Sequence, residues 1–135
     1  MTSAPRADAQ ARPILVVDDD PLLCEFVAMA LADQGFRTLV AGDGLQALEF
    51  AAADPPALLL VDVGIPHLSG RELALRVRER CAEPIPCILM SGSILSRSDG
   101  DGSAVVGCLP KPFELDDLFT LVRRYALTVR PAATP

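Results

Sequence analysis

The stretch ILVVDDDP, residues 14–21, runs four apolar side chains directly into three aspartates. So short and solid an apolar run reads as a strand covered on both faces, as in a parallel sheet between two layers of helices. The acids that follow cannot share that core. They must stand where the strand leaves it, on a rim. Asp20 is suited to cap the next helix, with Pro21 at its first position, which sets the third acid apart from the other two. Asp18 and Asp19 then face the rim as neighbouring carboxylates whose mutual repulsion a cation would relieve.

The same alternation continues outward from this stretch. Leu22, Leu23, Phe26, Val27, Ala30 and Leu31 fall on one helical face, and Gly35 stops the helix. Phe36–Ala41 reads as a second strand. Asp43–Ala53 reads as a helix carrying Leu45 and Leu48, closed by DPP. Leu58–Val61 is a third strand, ending on Asp62. Ser69 and Glu72 make a capping box for a helix that runs to about Cys81. Cys87–Met90 is a fourth strand, ending on Ser91, and a fifth around Cys108 and Leu109 ends at Lys111. Leu115, Leu118, Phe119 and Val122 mark the last helix. Its acids (Glu114, Asp116, Asp117) come early and Arg123 and Arg124 late, as the helix dipole favours. Between strands four and five, GSILSRSDGDGSAVVG is too rich in Gly, Ser and Asp for a good helix, so a weak or mobile fourth helix is expected. Repeated strand–helix units imply an α/β fold, a doubly wound parallel sheet with helices on both faces. Residues 1–12 and 129–135 are polar, Ala/Pro-rich and aperiodic, and read as tails on a single domain of residues 13–128.

Composition narrows the function classes. The chain has 135 residues, half of them apolar, enough for one core. A net charge of −6 argues against nucleic acid and against anionic membrane surfaces. No apolar run approaches the roughly 18 residues of a membrane span, and the N-terminus lacks the apolar segment of a secretory signal. Cys24, Cys81, Cys87 and Cys108 have no CxxC spacing, and His67 is the one histidine, which argues against zinc. All four cysteines stand in apolar contexts and read as buried free thiols of a cytoplasmic protein. Of 12 basic residues, Lys111 alone is lysine. A compact point charge is a different tool from a planar arginine fork.

Parallel sheets bind ligands outside the carboxyl ends of their strands. There the sequence gathers Asp18, Asp19, Asp62, Ser91 and Lys111. Carboxylates of this kind suit a hard cation such as Mg²⁺. A hydroxyl and an ammonium beside them suit phosphoryl oxygens, and a carboxylate can itself be the nucleophile that forms an aspartyl phosphate. Two further features read more plainly. DGDGS at 99–103 looks like the start of a calcium loop, but Pro110 stands at the twelfth place where Glu is required. His67 reads as a surface residue and Tyr125 as packing.

ILVVDDDP, LLLVDVGIPHLSG, CILMSG and LPKPF, in this order, resemble the four signatures of the receiver domain of two-component response regulators over about residues 13–128. VDVGIPHLSGREL with ILMSG looks closest to receivers attached to hybrid histidine kinases. The resemblance implies a five-stranded sheet of flavodoxin-like order 2-1-3-4-5, with Asp62 as phosphoacceptor. It implies that Asp19 ligates Mg²⁺ directly, Asp18 acts mainly through water, and the backbone carbonyl of Gly64 completes the protein ligands with Asp62. Ser91 would hydrogen-bond the phosphoryl group and Lys111 pair with its oxygens, Pro112 following in a cis peptide bond that aims the lysine. The partner would be a sensor histidine kinase or histidine phosphotransfer protein, and the signal would pass by protein contacts to an output protein, without DNA binding by this chain. A phosphorylation-dependent homodimer is left open, as is origin from a larger hybrid kinase.

Two positions depart from the family. Where receivers carry an aromatic that moves with Ser91, this chain has Cys108. A thiol is too small for that swing, so the switch is expected to be weak or to work through residues 93–107 as an order–disorder change. Gly64 leaves the phosphoryl group open to water, so rapid self-dephosphorylation is expected. Two other functions compete. An aspartate-nucleophile phosphatase of the haloacid dehalogenase type would use Asp18 and Asp20 as its DxD pair. A degenerate receiver would only bind partners.

Overall fold

The computed structural model describes residues 12–65, 67–92 and 105–128. Among the described residues, five strands and four helices follow in the order β1 (Ile14–Val17), α1 (Pro21–Asp33), β2 (Thr38–Ala41), α2 (Gly44–Ala53), β3 (Leu58–Asp62), α3 (Gly70–Cys81), β4 (Cys87–Ser91), β5 (Val105–Pro110) and α4 (Leu115–Thr128). All strand pairs are parallel, and their order is β2-β1-β3-β4-β5. This is the flavodoxin-like sheet expected. β1 is an interior strand covered on both faces: every residue of Ile14–Val17 is at most 1% exposed. Leu15, Val17, Leu59, Val61 and Leu89 pack on one side with α2 and α3, and Ile14, Val16, Leu58, Leu60 and Met90 on the other with α1 and α4.

The helix boundaries follow local chemistry. Asp20 caps α1 by accepting from the N–H groups of Leu22 and Leu23, and Pro21 occupies the first turn. Gly35 ends it at φ 94°, a conformation open to glycine. Asp43 caps α2 through the Gln46 N–H, and Ser69 caps α3 through the Glu72 N–H at 3.0 Å, the expected half of a capping box.

Several expectations need correction. The buried face of α1 is Cys24, Val27 and Leu31, whereas Leu22 and Phe26 are exposed and Ala30 is half-buried. The apolar arc of this helix is wider than the face the sheet covers. Leu45 is likewise exposed while Leu48 is buried. The second strand starts at Thr38, because Phe36 still belongs to the turn after α1, where its N–H donates to the Leu31 carbonyl. Cys108 is exposed and Cys81 half-buried, so only Cys24 and Cys87 are buried thiols. The fifth strand is a sheet edge, which leaves alternate positions uncovered.

Arg12, counted with the N-terminal tail in the sequence, is fastened to the domain. Its guanidinium pairs with both carboxylate oxygens of Glu83 at 2.9 and 3.1 Å and donates to the carbonyls of Pro55 and Pro56. The expectations for residues 1–11 and 129–135 and for a weak fourth helix fall outside the described residues. Of the segment proposed to switch, Val105–Gly107 form part of β5.

Candidate functional site

The rim of the sheet is built by strand register. Asp18 follows the last residue of β1, with its N–H still donating to the Ala41 carbonyl of β2 at 3.2 Å. Val17 lies beside Val61, so Asp18 and Asp62 emerge next to each other. Asp62 is paired with Met90, and Ser91 comes next on β4, 1% exposed. Lys111 leaves β5 one residue after Pro110, the partner of Ser91, and its N–H donates to the Ser91 carbonyl at 2.7 Å. The Lys111–Pro112 peptide is cis. Four residues far apart in sequence thus share one corner because parallel strands all end on the same side.

Oxygens of Asp18, Asp19 and Asp62 lie within 4.8 Å of one another. The three carboxylates differ in their surroundings. Asp18 is 2% exposed, a buried acid that needs partners. Its Oδ1 accepts from the Asp20 N–H at 3.0 Å and its Oδ2 from Lys111 Nζ at 2.8 Å. Asp62 is held by the same ammonium through Oδ1 at 2.8 Å, while its Oδ2 accepts from the Gly64 N–H at 3.0 Å. Asp19 is exposed at the mouth of the cluster.

Lys111 therefore bridges two acids. Burial alone would push its pKa down, but the hydrogen bonds and charges of Asp18 and Asp62 outweigh that and raise it above the usual lysine value. The pairing of Lys111 with Asp18 has no counterpart in the sequence pattern, because no sequence signal joins residues 93 positions apart. Nor does the sequence pattern mark Cys24 as a neighbour of this site. This buried thiol donates to the Asp18 carbonyl at 3.3 Å, and burial is the main cause that pushes its pKa up to about 11.

The donor set fits a small divalent cation. Three carboxylates offer hard oxygens, one of them at an exposed mouth, which suits an ion that keeps part of its water shell. Gly64 adds no side chain there: a Cβ would stand 3.5 Å from Asp62 Oδ2, in ordinary contact. Cys108 lies on β5 opposite Leu89, exposed, on the strand that delivers Lys111. His67 is exposed with φ 77° in the β3–α3 connection.

The sequence profile of the response regulator receiver domain matches residues 14–123. The chain belongs to that family. The receiver is 33% identical over 128 residues to the probable transcriptional regulatory protein TcrX of Mycobacterium tuberculosis, covering 91% of this chain and 55% of that protein. It is 32% identical over 120 residues to the response regulator MprA of Mycobacterium leprae, covering 87% and 52%. The chain thus spans about half the length of these relatives. Among solved structures, a CheY-like receiver from Methanospirillum hungatei superposes with TM-score 0.79 at 19% identity, over 87% of this chain and 95% of that one, a likeness of fold. TrrA from Thermotoga maritima, solved with Mg²⁺-BeF, gives TM-score 0.75 at 29% identity, over 84% and 98%. Receiver membership makes the chain a signalling module of two-component systems, whose partners are histidine kinases, and leaves no place for the dehalogenase-type reading. These relatives are response regulators, and none supports the narrower likeness to hybrid-kinase receivers. No helix among the described residues is long and apolar enough to cross a membrane.

Proposed function

We propose that the receiver takes a phosphoryl group from a phosphohistidine onto Asp62. The observation that carries this reading is the convergence of Asp18, Asp19 and Asp62 beside the Lys111 ammonium. A carboxylate oxygen of Asp62 attacks phosphorus as the P–N bond breaks, and the electron pair leaves with the imidazole nitrogen. Both reactants are anionic, so catalysis here is charge compensation and alignment. Lys111 holds Asp62 in place and is near enough to follow the incoming oxygens. Ser91 supplies a hydroxyl from the adjacent strand. Mg²⁺, when bound, offsets charge on the phosphoryl oxygens. Asp19 would hold it directly, Asp18 through water, and Asp62 and the Gly64 carbonyl would complete the set. The Mg²⁺-BeF in TrrA is chemistry of the same kind.

The donor would be a sensor histidine kinase or a histidine phosphotransfer protein of the cytoplasm. Leu22, Phe26 and Met29 form an exposed apolar stripe on α1, beginning next to the acids, and suit its docking. Output would pass through protein contacts that respond to Ser91 and β5, with Cys108 limiting any side-chain swing. Incubation with acetyl phosphate and Mg²⁺ followed by intact mass tests the reading. One added phosphoryl group, absent in Asp62→Asn, is expected. No addition to the native chain would leave the degenerate, binding-only receiver.

A further inference from the structure

The turn between β1 and α1 is clamped by one residue that belongs to neither the acid cluster nor its cation. Cys24 is 1% exposed in the face of α1 that meets the sheet. Its backbone N–H donates to the Asp20 carbonyl at 3.1 Å, and its thiol donates to the Asp18 carbonyl at 3.3 Å. Two carbonyls of the acid triplet are thus tied to a single helical residue. Asp19 lies between them. The Asp18 side chain is oriented from the other direction by the Asp20 N–H and Lys111. The carbonyl of Asp18 emerges beyond the last paired residue of β1, so the sheet does not fix it.

We propose that Cys24 is a positioning residue for cation binding: its thiol fixes the peptide plane between Asp18 and Asp19, and with it the direction in which the exposed Asp19 carboxylate is presented. The inference rests on the proposed Mg²⁺ site and adds a residue outside it. The thiol is shut off from solvent, so no water competes for its hydrogen bond to the Asp18 carbonyl. The residue acts through backbone, as partners beyond the ligand shell do when they orient ligands.

The test uses the full chain with Cys24→Ser, which keeps a donor, and Cys24→Val, which keeps bulk without one. Mg²⁺ affinity is read by titration calorimetry, and exchange of the Asp20 amide is read by NMR without metal. Cys24→Val should bind Mg²⁺ about tenfold more weakly and exchange the Asp20 amide faster, with Cys24→Ser close to the native chain in both. A thiol needed only for packing would move melting temperature and leave both readouts alone. Should Cys24→Val fail to fold, Cys24→Ala takes its place with the same expectation. Donor-free variants that bind within about twofold of native, or a serine variant that loses as much as valine, overturn the role of Cys24. A native chain that binds no Mg²⁺ overturns the metal site itself, a distinct result.

Discussion

Replacing Lys111 with Met separates two roles that a single cation plays. The ammonium lies 2.8 Å from both Asp18 and Asp62, with the lysine side chain 25% exposed and the two acids 1% and 15%. Removing one partner of a fully buried ion pair costs about 3–5 kcal/mol, because the other charge is left without compensation. Partial exposure of lysine screens the loss, so about 2 kcal/mol is expected here. For a domain of this size that lowers the melting temperature by about 8 °C in chelator. The same change removes a positive charge from beside the cation site. Mg²⁺ should then bind tighter, and a tenfold gain adds about 1.4 kcal/mol of stabilisation at saturation. Phosphorylation by acetyl phosphate should meanwhile slow, since the incoming oxygens lose their ammonium. Thermal melts with and without Mg²⁺, beside intact-mass time courses, read all three. A variant within about 1 °C of native in chelator, or one whose Mg²⁺ response is unchanged, would refute the competition between lysine and metal.

Four further outcomes are expected. A larger side chain at Gly64, as in Gly64→Thr, meets Asp62 Oδ2 at ordinary contact distance and should lengthen the phosphoryl lifetime, followed as loss of the added mass after desalting. Gly70→Ala places a methyl 2.8 Å from Leu89 Cδ2 and 3.3 Å from Val61 Cγ1, so a urea melt should show a loss of about 1–3 kcal/mol from overpacking. Thiol labelling at pH 8 should take Cys108 first and spare Cys24 and Cys87, whose burial raises their pKa to about 11 and about 12, until the chain unfolds. Stability should fall as pH rises above about 9, first because unfolded thiols ionise more readily than buried ones. It should fall further as Lys111, whose folded pKa is raised, loses its proton and both ion pairs.

β1, β3 and β4 were legible because each is a short, solid apolar run that ends on or just before a polar side chain, and parallel topology brings those ends to one rim. The caps were legible for a local reason: Asp20, Asp43 and Ser69 act within three residues of themselves. What escaped was set by tertiary geometry. Periodicity placed Leu22 and Phe26 with Val27 and Leu31, yet the sheet covers only the narrower arc that includes Cys24. Cysteine in an apolar neighbourhood suggested burial, but the last strand is an edge, and Cys108 is exposed there. The Arg12–Glu83 fork and the Lys111–Asp18 pair join residues 71 and 93 positions apart, distances at which composition is silent.

Formal charge explains why the site needs each of its parts. Three carboxylates and one ammonium leave two negative charges, which a divalent cation cancels. On the proposed reaction, a phosphoryl group would turn the single charge of Asp62 into about two, so one negative charge would reappear even with a divalent cation and lysine in place. Among the described residues at the rim, neutral donors stand near to meet it. The Gly64 N–H already points at Asp62 Oδ2, and the Ser91 hydroxyl stands on the next strand. On the proposed function, the response to phosphorylation is expected to begin with these two groups. Ser91 is the buried member of the pair, and the Lys111 N–H donates to its carbonyl. Any shift of Ser91 is thus passed to β5 through backbone, a route that needs no aromatic at position 108.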